Sequence, residues 1–166
     1  MIERLWAGWR SSYVAGDTAL PPGKGSLFER ILASGLPDHE SYVLWRGNHA
    51  AALLNAYPYT SGHVLVLPNR ATANLEDLQP EEAAELWLGV QRAVVAVKAA
   101  YGPQGVNVGA NLGEAAGAGV PDHLHLHVLP RWRGDTNFMT TVAELRVLPE
   151  PLSMSWEKLR ATWPPG

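Results

Sequence analysis

The chain has 166 residues, of which 46% are hydrophobic and 17% are charged, with a formal net charge of −3 at pH 7. This length fits one domain with a single core, and the slightly acidic balance disfavours a surface that tracks long nucleic acid. Cysteine is absent, which excludes disulfides, thiolate metal sites and cysteine nucleophiles. Charged residues occur throughout the first twenty positions, so these contain no apolar stretch typical of a signal peptide or a membrane span. We therefore expect a cytoplasmic protein without a membrane partner.

The first helix signal is a capping box, with Ser26 at the N-cap and Glu29 three residues later. It predicts a short helix over about 27–34. Two short apolar runs follow at 42–45 and 50–54. The turn-forming residues between them predict an antiparallel hairpin.

The rest of the chain alternates strand and helix signals. The longest helix has Pro80 in its first turn, where a missing N–H does no harm, and acidic residues after it that complement the helix dipole. The remaining predicted elements are a buried strand at 63–67, a long helix at 80–101, a strand at 106–110, a Gly-rich loop at 113–119, a strand at 122–130 and a helix at 154–163. Together they predict an α+β fold with an antiparallel sheet of about five strands.

Three histidines, His123, His125 and His127, alternate with Leu124 and Leu126 in the last predicted strand. Because side chains alternate across a strand, the imidazoles should line one face and both leucines the other. Neighbouring histidines would be separated by roughly 6–7 Å of backbone, so one phosphate group could touch all three. A purely structural strand would avoid such a row, since each ring needs hydrogen-bond partners or exposure in a cleft.

This row matches the motif His-φ-His-φ-His-φ-φ, in which φ is apolar, and resembles that of the histidine triad (HIT) family. Residues 55–66 resemble the family's nucleotide-binding strand-loop-strand, which ends in a fourth functional histidine, here His63. The segment 111–119 is similar to its phosphate-side loop. The sequence around Trp6 and the tail after Pro130 resemble the branch of bacterial diadenosine tetraphosphate hydrolases and phosphorylases.

The resemblance implies a role for each histidine. His125 would attack the α-phosphorus of a nucleotide and form a nucleotidyl-histidine intermediate, because a neutral imidazole is a competent nucleophile near pH 7. His127 would position or protonate the leaving group, and His123 and His63 would orient their neighbours. The implied reaction is hydrolysis or phosphorolysis of a purine dinucleotide such as diadenosine tetraphosphate.

The resemblance also implies the substrate-binding residues. Asn55 would contact a ribose hydroxyl, and Asn111 would donate an amide N–H to a phosphate. Gly113 and Gly119 lie in a Gly-rich loop that is one residue longer than the commonest family pattern and lacks the Ser, Thr or Gln of many relatives. Backbone N–H groups would replace that side chain, which leaves open whether water or phosphate accepts the nucleotidyl group.

Residues around the triad have two interpretations each. Arg131 and Arg133 could supply local positive charge, although charges after a strand end are more often solvated. Trp132 could stack on a base or pack in the core or against a second copy. The apolar residues expected to wall the base pocket are Phe28, Leu53 and Leu65.

Three alternatives to this function stay open: a purine nucleoside phosphoramidase of the same family, a zinc-dependent hydrolase with Asp122 as a further ligand, and a non-catalytic nucleotide-binding module. We expect no metal site and no required cofactor, although a divalent cation could accompany the substrate phosphates. The expected partners are a small nucleotide and no nucleic acid polymer. A homodimer is implied by the family and favoured by the low charge and seven Trp residues.

The resemblance implies one HIT-like domain over residues 1–166. It would consist of an N-terminal arm at 1–25, a core with the motifs at 40–135 and a C-terminal extension at 136–166. No internal repeat or long linker divides the chain.

Overall fold

The structure, a computed structural model, describes residues 24–135 and 150–165. In these ranges a five-stranded antiparallel sheet carries helices on its two faces. The strands are β1 (Val43–Arg46), β2 (Ala50–Leu54), β3 (Val64–Pro68), β4 (Gly105–Ala110) and β5 (Leu126–Arg131). The helices are α1 (Leu27–Leu32), α2 (Asp38–Ser41), α3 (Pro80–Tyr101) and α4 (Leu152–Thr162), with 3-10 turns at Leu75–Asp77 and Glu114–Ala116. The predicted α+β class is confirmed.

The strands follow the order β1-β2-β3-β5-β4, so β5, which contains His127, lies inside the sheet. Side chains alternate along β3: Val64 and Val66 face the larger core with α3, whereas Leu65 and Leu67 face α1. Leu65 pairs across the ladder with His127, which places that histidine on the α1 face. The sheet therefore has the larger core with α3 on one face and the histidines with α1 on the other.

The long helix α3 lies close to the sheet because it presents small residues to it. A Cβ atom on Gly89 would lie 2.8 Å from a methyl of Val66 and 2.9 Å from the Trp45 ring, which is closer than carbon atoms pack. Helix α4 adds Leu159 to the same core, and Trp163, which follows the helix, joins it. Burial of such large apolar side chains contributes about 1.5–3 kcal/mol each.

The opposite face carries a smaller apolar cluster beside α1. Phe28 of α1 packs there with residues of β1, β2 and β3, and Val120 joins it from the Gly-rich loop. The predicted pocket residues Phe28, Leu53 and Leu65 all belong to this cluster. Their grouping beside the histidines brings an apolar surface to the edge of the triad.

The structure corrects the extent of β5, which begins at Leu126 and not at residue 122. The β3–β5 ladder ends at the pair of Val66 and Leu126, and the same register would place Leu124 opposite Pro68. Proline has no N–H to donate, so the ladder cannot continue there. The N–H of Leu124 instead donates to the carbonyl of Thr72 at 2.6 Å.

Other element boundaries differ slightly from the prediction. Helix α1 ends at Leu32, and α4 runs from residue 152 to 162. The short helix α2 and the 3-10 turn at 75–77 were not predicted, because elements this short carry no periodic pattern. Most of the predicted N-terminal arm lies outside the described residues. Within the described part, no helix is both long and apolar enough to span a membrane.

Candidate active site

The four predicted histidines come together on the α1 face of the sheet. Ring centroids of His125 and His127 are 5.1 Å apart, as are those of His63 and His127. Leu124 and Leu126 point to the opposite face and belong to the larger core. Although only His127 lies within β5, the extended segment before the strand keeps the predicted alternation.

The proton position on His63 follows from its neighbours. Its Nδ1 accepts the backbone N–H of Tyr59 at 3.1 Å, so the neutral ring carries its proton on Nε2. That Nε2–H donates to Nδ1 of His127 at 2.8 Å. His127 must then carry its own proton on Nε2.

The Nε2 atom of His127 is buried and has no hydrogen-bond partner within the described residues. A buried N–H without a partner costs about 1–3 kcal/mol, so such a donor calls for an acceptor that binds there. Burial, and secondarily the neighbouring His125, lowers the pKa of His127 to about 4. At neutral pH this residue is therefore an uncharged N–H donor.

His125, whose ring neighbours that of His127, presents a lone pair. Its Nδ1 lies 2.8 Å from the carbonyl oxygen of His123, and a carbonyl can only accept, so Nδ1 carries the proton. In the uncharged form of the ring the lone pair is therefore on Nε2, which is the form a nucleophile requires. The edge of the Phe28 ring packs on this imidazole at a centroid distance of 5.3 Å.

His123 is enclosed behind the other two. Its Nε2–H donates to the carbonyl of Pro68 at 2.8 Å, and its Nδ1 accepts from the hydroxyl of Ser26 at 2.5 Å. Burial is the main cause that lowers the pKa of this imidazole. His123 is therefore neutral, with both ring nitrogens occupied by the protein.

Exposure separates the histidines into two pairs. His63 and His123 are 1% and 0% exposed, whereas His125 and His127 retain 6% and 7%. Tyr59, which is 44% exposed, stacks on the His127 ring at 5.7 Å with an interplanar angle of 19°. Of these four histidines, only His125 and His127 can therefore touch a ligand. Tyr59 lies beside His127.

Asn55 contacts the histidine cluster directly. Its side-chain oxygen accepts the backbone N–H of Tyr57 at 2.9 Å, and its amide nitrogen lies 3.3 Å from Nδ1 of His63. These contacts shape the loop before β3 and orient His63. The predicted contact of Asn55 with a ribose stays a prediction.

The Gly-rich loop lies on the surface near the apolar cluster. The amide of Asn111 donates to the carbonyl of Gly117 at 3.4 Å and so joins the two ends of the loop. Gly113 has φ +81°, and neither it nor Gly119 has an atom within 4 Å of where a Cβ would stand. The loop is open to a ligand, and the phosphate-binding roles of these residues stay predictions.

Arg131 and Trp132, which follow the triad, contact side chains outside the histidine cluster. The Arg131 guanidinium contacts both carboxylate oxygens of Asp135, at 2.6 and 2.8 Å, and also the side chain of Asn107. Trp132 packs edge-on against Tyr101 at a centroid distance of 6.3 Å. These contacts favour the structural interpretation of both residues.

The described residues contain no group of three His, Asp or Glu side chains arranged to hold a metal ion. Both ring nitrogens of His63 and of His123 already take part in hydrogen bonds with protein atoms. These two histidines therefore have no ring nitrogen left to bind a zinc ion without losing a hydrogen bond.

Two residues of this site, Ser26 and Tyr59, carried no predicted site role. Ser26 was predicted only as a helix cap, and nothing in the sequence connects it with a histidine 97 positions away. Tyr59 lies in the segment that resembles the family, but an aromatic residue in a loop is by itself no signal for a position beside His127.

The chain is similar to several known proteins. The profile of the HIT domain matches residues 37–134. The AP-4-A phosphorylase of Mycobacterium tuberculosis is 38% identical over 165 residues, which cover 98% of this chain and 85% of that protein. The asymmetrical bis(5'-nucleosyl)-tetraphosphatase of Schizosaccharomyces pombe is 37% identical over 95 residues, 57% of this chain and 52% of that protein.

Among solved structures, that of a Zn-bound histidine triad family protein from Mycobacterium smegmatis is similar with a TM-score of 0.66 and 30% identity. The similarity covers 83% of this chain and 92% of that one. The profile match spans more than half of the chain, and the M. tuberculosis relative spans nearly all of it. The chain belongs to the HIT domain family.

Proposed function

We propose that this protein cleaves diadenosine tetraphosphate or a closely related dinucleotide at its α-phosphate, through an intermediate on His125. The observation that carries the proposal is the pairing of two complementary nitrogens on neighbouring rings, whose centroids are 5.1 Å apart: the lone pair on Nε2 of His125 and the N–H of His127 that has no partner within the described residues. The names of the relatives, a phosphorylase and a tetraphosphatase of dinucleotides, support the substrate class.

The first step transfers a nucleotidyl group. Nε2 of His125 attacks the α-phosphorus, a P–N bond forms, and the bond from that phosphorus to the bridging oxygen breaks. The Nε2–H of His127 donates a hydrogen bond to this oxygen as negative charge develops on it. With diadenosine tetraphosphate, ATP leaves and AMP remains bound to His125.

The second step returns the histidine to its free state. An oxygen of inorganic phosphate attacks the same phosphorus, the P–N bond breaks, and ADP is released. We favour phosphate over water as acceptor because the relative that covers nearly the whole chain is a phosphorylase. The Gly-rich loop has no hydroxyl side chain at residues 118–120, so backbone N–H groups would bind this second anion.

Product analysis tests this proposal. Purified protein is incubated with diadenosine tetraphosphate with and without phosphate, and the nucleotides are separated by chromatography. ADP plus ATP, formed only with phosphate, is the expected result. AMP plus ATP would assign the acceptor to water, and two ADP would contradict attack at the α-phosphate. Binding without any product would favour the non-catalytic alternative.

Two further alternatives are tested with the same preparation. Adenosine phosphoramidate in place of the dinucleotide tests the phosphoramidase, which is favoured if it turns over faster. Metal analysis before and after chelation tests the zinc hydrolase, which requires a bound metal whose removal abolishes activity. We expect activity to survive chelation, with a divalent cation acting at most on the substrate phosphates.

We also propose that the protein forms a homodimer through the edge of β4, in the cytoplasm. This strand is the last in the sheet, and Gly105–Ala110 contains neither a charged residue nor a proline to protect the edge. Val108 on this strand is 43% exposed. Pairing with a second copy would cover this edge and its apolar side chain.

Sedimentation velocity checks the dimer. We expect the mass of two chains for the unmodified protein and of one chain for Val108→Lys, with Lys98→Glu, a charge change on α3 outside this strand, as a control. A monomeric unmodified protein would contradict the proposal.

A further inference from the structure

We propose that Ser26 is a positioning residue for the reaction, acting on the nucleophile through His123. This inference rests on the proposed function, since it concerns the orientation of His125. It starts from one contact: the Ser26 hydroxyl lies 2.5 Å from Nδ1 of His123, and both residues are buried. Ser26, the N-cap residue of helix α1, thus contacts the first histidine of the triad.

The direction of this hydrogen bond is fixed by its surroundings. The Ser26 oxygen already accepts the backbone N–H of Glu29 at 3.2 Å, which leaves its hydroxyl proton to donate. The proton of neutral His123 is on Nε2, where it donates to the carbonyl of Pro68. Nδ1 is then an acceptor, and the Ser26 hydroxyl donates to it.

The effect reaches the nucleophile through the backbone. The carbonyl oxygen of His123 accepts Nδ1–H of His125 at 2.8 Å, and this bond keeps the lone pair of His125 on Nε2. The peptide unit of residue 123 can hold that oxygen in place only while the imidazole of the same residue is anchored. Ser26 and Pro68 provide the two anchors, one on each ring nitrogen.

Helix α1 is itself fixed to the sheet, which makes Ser26 a rigid support. Glu29 completes the capping box by accepting the Ser26 N–H at 2.9 Å, and its second oxygen accepts the N–H of Ala71 at 3.0 Å. Two residues after Ser26, the Phe28 ring packs edge-on against both His123 and His125, each at 5.3 Å. The start of α1 therefore contacts the triad through a hydroxyl and a ring.

The experiment separates positioning from helix capping with three variants. Ser26→Ala removes both the cap and the hydrogen bond to His123. Ser26→Gly removes the hydrogen bond but retains most of the N-cap preference, and Ser26→Thr retains both. If Ser26 acts on His123, Ala and Gly should both lower kcat by about 10-fold or more, with KM little changed, and Thr should restore it.

The second readout does not depend on turnover. In ¹⁵N-labelled protein, long-range ¹H–¹⁵N spectra report which ring nitrogen of each histidine is protonated. We expect Nε2–H for His123 and Nδ1–H for His125 in the unmodified protein and in Ser26→Thr. In Ser26→Ala and Ser26→Gly, the His123 Nδ1 resonance should shift and His125 should show a mixture of tautomers.

The outcomes distinguish this inference from the proposed function. Unchanged histidine spectra and kcat in Ser26→Gly would overturn the role of Ser26, even if the dinucleotide is cleaved. Loss of activity in Ala alone would also overturn it, because that pattern belongs to capping. Altered spectra in Ala and Gly, in a protein that releases no product from the dinucleotide, would retain Ser26 as the support of His123 and reject the substrate.

Discussion

At the scale of single residues, the chemistry depends on where each imidazole keeps its proton. The backbone N–H of Tyr59 and the carbonyls of His123 and Pro68 can play only one hydrogen-bonding role each. They force a fixed tautomer on His63, His125 and His123. The result is a lone pair on His125 and an N–H donor on the adjacent ring of His127.

A substitution of His63 tests this chain of tautomers. His63→Phe keeps a ring in the loop but removes the N–H that His127 accepts. The proton of His127 is then no longer confined to Nε2, so we expect kcat to fall about 10- to 100-fold with little change in KM. Steady-state kinetics measure the effect, and His39→Phe, at an exposed surface histidine, is the control. Equal rates in both variants would contradict the assigned role.

At the scale of elements, the loop between β2 and β3 sets the position of His63. Gly62 has φ +75°, and a Cβ there would lie 2.4 Å from the ring of Tyr101 at the end of α3. Tyr101 cannot move freely, because its hydroxyl donates to Glu150 at 2.5 Å and its ring is half-buried. The loop can therefore pack on α3 only with glycine at this position.

Gly62→Ala should accordingly destabilise the fold by about 1–3 kcal/mol and lower activity by displacing His63. Gly35→Ala is the matched control, because Gly35 has a similar φ of +72° but nothing within 4 Å of its Cβ position. Gly35→Ala has the energetic cost of a positive φ at a non-glycine residue, but its Cβ meets no neighbouring atom. Urea unfolding and kcat of both variants measure the difference, and a Gly62→Ala enzyme no worse than the control would contradict this packing argument.

The sequence predicted most elements because their signals are local. The capping box of α1, Pro80 at the start of α3 and the alternation of His and Leu each specify structure within a few residues. The start of β5 could not be predicted in this way. It depends on Pro68, which lies opposite that segment only after β3 and β5 pair.

At the scale of the whole molecule, a neutral imidazole cluster is stable only while it remains neutral. Burial lowers the pKa values of His127 and His123, whereas both residues titrate near 6.5 when the chain is unfolded. Between these values the unfolded chain binds more protons than the folded one. The free energy of unfolding therefore decreases as the pH falls through this range.

For His127 the window runs from about pH 6.5 down to its folded pKa of about 4. Over this range, protonation of His127 in the unfolded chain should lower the free energy of unfolding by about 3 kcal/mol. We expect urea unfolding at pH 7 and pH 5 to show a clear loss for the unmodified protein and a smaller one for His127→Asn. The same loss in both proteins would contradict a depressed pKa at His127.

The fold class and the triad followed from the sequence, while the support behind the triad did not. Ser26 and His123 are 97 positions apart, and their contact exists only because α1 packs against the sheet through Phe28. The same holds for Tyr59 over His127, since a loop residue receives its neighbours from the folded chain. Local patterns predict elements, whereas the hydrogen-bond partners of the His123 and His127 rings come from distant parts of the chain.

The central claim is that His125 carries the nucleotidyl group. To test it directly, the enzyme is incubated with diadenosine tetraphosphate in the absence of phosphate and is denatured rapidly without acid. Its peptides are then analysed by mass spectrometry at alkaline pH. We expect AMP on the peptide that contains residues 123–127, with fragmentation placing it on His125, and no adduct in His125→Asn. An adduct on another residue, or product formation at a normal rate by His125→Asn, would contradict the mechanism.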